Sequence, residues 1–262
     1  RSFGAYFLQT FLTNPDEGPT WFIFALLLFL VGYTVWRLAA GALSDEKPDR
    51  VRLLNVPGKR EILGFGLLVS ILMFVIGLKS PVNNTVNVFG IFNLMVIFFA
   101  QYILFFIAGI LAYRNDWLAR FNGKDLRFWA WLSLGLFLSL PVVFFLGGAA
   151  SGSADLFLGG LSWQSAAFML WVGLFSVSIS MTLILWLRDR KKPQRRVMAF
   201  AGPNSYGVYL IHPLVLVPVS VAASVLPIPP LLKFVVVLPM VIILTFVVAA
   251  GLRQIPGLKS IL

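Results

Sequence analysis

The sequence predicts an all-α bundle of membrane-spanning helices, about seven of them in this chain. Three observations carry that expectation. Hydrophobic residues make up 59% of the 262, with 25 Phe and 8 Trp among the aromatics. Asp, Glu, Lys and Arg together reach 12%, against roughly 25% in an ordinary soluble domain. The apolar residues lie in continuous runs near twenty long, the length of a membrane helix, and do not alternate with polar ones as barrel strands do. A soluble fold of this size has no interior large enough for them. The absence of Cys excludes a disulfide scaffold, a thiolate metal site and a Cys nucleophile.

The spans read in order as 20–42, 61–79, 88–112, 127–148, 161–187, 204–226 and 231–252. Asp and Glu are absent from the depth of each. Breakers separate them: Pro48 and Pro57-Gly58, then Pro81 and Asn83-Asn84. Gly147-Gly148 to Gly159-Gly160 forms a small-residue loop, expected to be mobile and extracytoplasmic. Pro193 and Gly202-Pro203 close the next connection, and Pro227, Pro229 and Pro230 turn the last two spans back to back. The chain begins at Arg1, and no signal peptide precedes the first run. Residues 1–262 therefore read as a single membrane domain, a portion of a longer protein.

All but three of the 21 Lys and Arg residues fall in alternate connections. They cluster at 37–60, 113–127, 188–203 and in the C-terminal tail; Arg1, Lys79 and Lys233 are the exceptions. This alternation places the start of the chain outside the cytoplasm and its C-terminus inside. The net charge of +11 is accordingly a topology signal and not a nucleic-acid surface. The run Arg188 to Arg196 suits lipid head groups first, and a coenzyme phosphate second. No internal repeat of the kind that marks an inverted-repeat transporter is present.

Polar side chains at bilayer depth mark the places where function resides. The segment 202–213 holds most of them. Asn204 or Ser205 is positioned to cap a helix that starts after Gly202-Pro203. Ser205, Tyr209 and His212 follow at i, i+4 and i+7 and so share a face, expected to turn inward. His212, the only histidine, lies about 12 Å along that helix at ~1.5 Å per residue. Pro213 cannot donate to the Tyr209 carbonyl. Two readings stand side by side: a polar pocket that binds substrate or moves a proton, and a neutral imidazole that fixes packing. In the third span, Gln101 reads first as an interhelical hydrogen bond, Gly109 as a packing glycine, and Tyr113 and Arg114 as interface anchors. The hydroxyls of Ser176, Ser178, Ser180 and Thr182 have no acid or second His to form a nucleophile–base set. Trp21 is placed as an interfacial anchor. Nothing in the sequence forms a metal-ligand cluster or a nucleotide-binding loop.

The stretch Asn204-Ser-Tyr-Gly-Val-Tyr-Leu-Ile-His212-Pro213 resembles the penultimate-helix signature of the integral-membrane acyltransferase 3 family. Gly18-Pro19-Thr20-Trp21-Phe22 resembles that family's entry into a mid-chain span, in the form similar to glucan-modifying members. Phe105-Phe106 to Gly109, with Ala112-Tyr113-Arg114 and Trp117-Leu118, resembles one of its helix ends. The resemblance implies a ten-span enzyme of a bacterial inner membrane. It implies transfer of an acetyl or succinyl group from acyl-coenzyme A to a hydroxyl of a sugar or extracytoplasmic glycan, with no bound cofactor. His212 is then a catalytic candidate, Ser205, Tyr209, Asn204, Gln101 and Trp21 line the substrate cleft, and Arg114 meets the coenzyme. The histidine that such enzymes carry in their first span, with an arginine before it, has no match in this sequence. The alternative is a transporter or flippase for a lipid-linked or anionic substrate, which the lack of deep Asp or Glu disfavours.

Overall fold

The computed structural model describes residues 21–43, 54–88, 92–188 and 196–257. Seven of its helices are long and apolar enough to cross a membrane. We number the helices in chain order: α1 Trp21–Leu43, α2 Lys59–Gly77, α3 Val96–Arg114, the single turn α4 Trp117–Arg120, α5 Leu126–Leu146, α6 Trp163–Arg188, α7 Arg196–Ser224 and α8 Pro230–Leu252. Strands β1 Thr85–Val88 and β2 Phe92–Met95 precede α3. The expected helical membrane protein is thus the one observed. The described residues divide into two compact units, a larger one within Ala25–Arg188 and a smaller one of Trp21–Phe24 with Arg196–Gly257.

In the larger unit, α2 and α6 meet where both carry small residues. Gly66 and Ser70 of α2 lie against Gly173 of α6. The Ser70 hydroxyl donates to the Gly66 carbonyl at 2.8 Å and reaches the Leu170 carbonyl of α6 at 3.4 Å. Membrane helices gain little from expelling water, so close backbone approach of this kind supplies their packing energy. Val69, Met73, Ile97 and Met169 form one buried cluster beside the contact. Trp129, Val177, Met181 and Leu185 form a second, joining α5 to α6. Between those two helices the Ser133 and Thr182 hydroxyls lie 3.1 Å apart, and the Trp171 indole N–H donates to the Leu136 carbonyl at 2.5 Å.

The structure corrects three element assignments. Helix α3 starts at Val96, not near 88, because the residues before it pair as a hairpin. Thr85 faces Met95 and Asn87 faces Asn93, whose side-chain amides bond at 3.0 Å. Summed hydropathy cannot separate a short apolar strand from the first turns of a helix. The loop 147–162 is packed, not the loose connector its composition suggests. It folds into two 3₁₀ turns, Ala149–Ser151 and Ala154–Phe157. Phe157 is 1% exposed and stacks on Phe144 at 4.4 Å. Val82 N–H donates to the Leu158 carbonyl at 2.6 Å, and Gly160 N–H to the Gly77 carbonyl at 2.9 Å. Gly159, at φ +155, lies so close to Gly77 and Pro81 that a Cβ there would sit 2.8 Å from both. Glycine here permits approach; it does not provide slack.

The third correction concerns α7. Gly202-Pro203 does not end the connection before it; the helix begins at Arg196 and runs straight through. A proline inside a membrane helix frees a carbonyl and costs less when side chains bond the neighbouring carbonyls. Asn204 and Ser205 do this. Their side chains donate one turn back, to the Phe200 carbonyl at 2.7 Å and the Ala201 carbonyl at 2.8 Å. Neither residue is a helix cap, since each bonds a carbonyl and sits inside the helix.

Candidate functional site

In the smaller unit α7 and α8 form an antiparallel hairpin. Phe200 near the start of α7 meets Phe246 late in α8 at 6.2 Å. At the other end the Lys233 ammonium donates to the Ser224 carbonyl at 2.8 Å. Three prolines interrupt the α7 ladder: Pro203, Pro213 and Pro218. Only around Pro213 does a titratable ring stand beside the break.

The geometry there is specific. Pro213 leaves the Tyr209 carbonyl without its helical donor. His212 fills the vacancy with its own ring: Nδ1 lies 2.7 Å from the Tyr209 carbonyl oxygen. A carbonyl oxygen only accepts, so the bond places the imidazole proton on Nδ1. The neutral ring then carries its lone pair on Nε2, which faces away from the helix backbone as a proton acceptor. The Tyr209 and His212 rings lie 6.2 Å apart at 38°, and both residues are half-buried. The proline therefore opens the carbonyl that fixes the histidine tautomer.

The expected inward face holds only in part. Asn204, Gly207 and Ile211 are the buried positions of this segment, at i, i+3 and i+7. Ser205 is exposed, which corrects its assignment to the interior. Its hydroxyl is already satisfied by the Ala201 carbonyl, so exposure to an apolar surface leaves it no unpaired proton. Tyr209 and His212 flank the buried stripe at its edge.

Of the other candidates, Gln101 and Arg114 belong to the larger unit and Trp21 to the smaller. Gln101 donates from Nε2 to the Ser176 hydroxyl at 2.9 Å and so ties α3 to α6. This is the structural role that its position in an apolar span favours. Trp21 opens α1 with its ring edge-on to Phe22 at 6.0 Å. Arg114, in the last turn of α3, is exposed at the end of an apolar trough between α1 and α3.

Sequence reasoning missed a polar cavity of about 240 Å³ where α2 begins. Pro57, Gly58, Lys59, Arg120, Asn122 and Asp125 contribute to its wall, over a floor that includes Trp129 and Leu185. Lys59 pairs with Asp125 at 2.9 Å. The buried amide of Asn115 organises the rim: its Oδ1 accepts the Leu54 N–H at 2.7 Å and its Nδ2 donates to the Leu111 carbonyl at 2.8 Å. Arg188 closes the same side by donating to the Leu118 and Phe121 carbonyls at 3.0 and 2.7 Å. The sequence signal was the turn Asn122-Gly-Lys-Asp125, in which the Asn122 side chain caps the Lys124 N–H at 3.1 Å. Among the described residues no group of three His, Cys, Asp or Glu is placed to hold a metal ion.

The model of the acyltransferase 3 family, described as an acyltransferase domain, matches residues 2–250. Searches of curated proteins and of solved structures return no match.

Proposed function

The chain belongs to the acyltransferase 3 family, and from that premise we propose that it moves an acyl group from acyl-coenzyme A to a hydroxyl of a sugar or extracytoplasmic glycan. It is an integral-membrane acyltransferase; donor, acceptor and acyl group are our reading. The observation that carries the reading is the Nδ1 bond of His212 to the Tyr209 carbonyl. It leaves Nε2 free to accept the proton of an acceptor hydroxyl as the oxygen attacks the acyl carbonyl. The new C–O bond replaces the thioester C–S bond, and the His212 imidazolium returns its proton to the coenzyme sulfur, which leaves as the thiol. Tyr209 stands beside this position, Asn204 lies two turns earlier on the same helix, and we read Trp21 as lining the cleft at the entry of its span on the acceptor's side. The resemblance to glucan-modifying members favours a glucan acceptor and an acetyl or succinyl group, in a bacterial inner membrane.

The donor's phosphates need cations at the cytoplasmic surface. Lys59 and Arg120 line the cavity at the start of α2, on the side where the basic connections cluster. We read that cavity as the entry of the coenzyme. The decisive experiment uses the intact protein in membrane vesicles, given acyl-coenzyme A labelled in its acyl group. Label on glycan outside the cytoplasm supports the assignment. Movement of an unacylated substrate across the membrane, with label left on the coenzyme, would replace it with a transporter.

The orientation has its own check. Reporter fusions after residues 50, 122 and 192 are expected to score as cytoplasmic, and those after 84, 155 and 228 as exterior. A cytoplasmic score at 155 would reverse the side on which the 147–162 loop lies and remove the coenzyme from the α2 cavity.

A further inference from the structure

Helices α1 and α3 run side by side in the same direction: Phe29 meets Phe99 and Phe106 at 6.1 and 5.5 Å, and Tyr33 meets Phe106 at 6.4 Å. Between them lies an open trough of about 440 Å³. Its wall on α1 runs from Leu28 to Trp36, and its wall on α3 from Ile103 to Arg114. Gly32 forms part of it, and a Cβ at Gly32 would meet no atom within 4 Å. Arg114 is the one charged residue of the lining. Its guanidinium and the Tyr33 hydroxyl have no hydrogen-bond or ion-pair partner among the described residues. Tyr33 lies level with Phe106, and Arg114 stands two turns farther along α3, at the end of the wall.

Length identifies what the trough takes. From Ile103 to Arg114 the helix rises about 16 Å at ~1.5 Å per residue, which is roughly half of the ~30 Å hydrocarbon core. That is the depth of one leaflet. A transmembrane helix would cover the whole thickness, and a two- or four-carbon acyl group would fill a fraction of the space. One chain of a phospholipid matches both the depth and the apolar walls. A lone guanidinium at the end of that apolar wall suits the phosphate at the top of that chain.

We propose that the α1–α3 trough is a binding site for an anionic phospholipid, with one acyl chain along Gly32 and Phe106 and the headgroup phosphate on Arg114. The site is separate from the acyl-transfer reading and stands or falls without it.

The test is native mass spectrometry of the intact protein released from vesicles that contain equal phosphatidylglycerol and phosphatidylcholine. The wild type is expected to retain phosphatidylglycerol in preference. Gly32→Leu, whose Cβ meets no atom within 4 Å, projects its side chain into the trough and should abolish retention of either lipid there. Gly135→Leu, at another helical glycine with open space around it, should leave retention intact. Arg114→Gln, at an exposed side chain, should cut the phosphatidylglycerol preference about fivefold, the factor that one basic residue near an anionic surface provides. Unchanged retention in Gly32→Leu would overturn the site, because the lipid is then held elsewhere on the protein. An unchanged preference in Arg114→Gln would overturn the phosphate contact. Displacement of the lipid by added acyl-coenzyme A in the wild type would overturn the lipid assignment in favour of the donor.

Discussion

His212→Asn is expected to lower acyl transfer by about 10²- to 10⁴-fold, the usual contribution of a positioned general base, with insertion and stability unchanged. The choice of Asn follows from the geometry. Its side-chain NH₂ takes the position of Nδ1 and can still donate to the Tyr209 carbonyl that Pro213 leaves open. Nothing replaces Nε2. His212→Gln offers an amide near Nε2 but loses the short reach to the carbonyl, so it should be both inactive and less stable. A merely structural histidine predicts instead that the Asn variant keeps near wild-type activity and that only the Gln variant is impaired. The measurement is labelled transfer to glycan in vesicles, beside thermal unfolding of each variant in detergent. Full activity in the Asn variant would assign His212 to packing alone.

Pro213→Ala supplies the missing partner to this comparison. Alanine restores the backbone N–H, and the Tyr209 carbonyl then has a helical donor. The imidazole loses its reason to hold the proton on Nδ1 and is free to rotate. Activity should fall although no side chain of the proposed chemistry has changed. Helix stability should hold or rise, since a proline in a helix interior costs about 3 kcal/mol relative to alanine.

The positions of the spans were legible because a membrane helix must be apolar over its whole length, and composition alone records that. Their boundaries were less so. Pro203 signals a break in water, where no neighbour takes up the freed carbonyl; in α7 the Asn204 amide and Ser205 hydroxyl bond the adjacent carbonyls, and the helix continues. The β1–β2 hairpin before α3 was hidden for the converse reason, since Val86, Val88 and Leu94 score as well in a strand as in a helix. At the site, the freed carbonyl of Tyr209 could be read directly from Pro213. Its partner could not, because a rotamer of His212 decides it. Gln101 was placed correctly as a helix–helix bond because amides in apolar spans commonly link helices. The bond from Asn115 to Leu54 spans 61 residues of sequence, and no local pattern announces a contact of that range.

Gly173→Ala should strongly destabilise the larger unit. A Cβ at Gly173 would overlap the Ser70 Oγ and lie 2.6 Å from the Gly66 carbonyl oxygen and 3.0 Å from the Ser70 nitrogen. Two of those atoms are backbone and cannot swing aside. The third is held in its own bond to the Gly66 carbonyl. The helices α2 and α6 must separate to admit the methyl group, and Val69, Met73 and Met169 beside it lose contact together. Overpacking a tight interior site costs about 1–3 kcal/mol, and this contact belongs at the upper end. Gly66→Ala tests the specificity of the argument, because the nearest atom to its Cβ is Leu174 Cδ2 at 3.2 Å, the end of a side chain that can turn. It should cost less than half as much. Gly135→Ala, with open space around it, should be neutral or stabilising, by about 0.5–1 kcal/mol of helix propensity. Ser70→Ala combined with Gly173→Ala should recover only part of the loss, since the Gly66 carbonyl remains in the way. Thermal unfolding in one detergent ranks the four variants, and a Gly173→Ala protein as stable as Gly135→Ala would show that α2 and α6 do not meet at these residues.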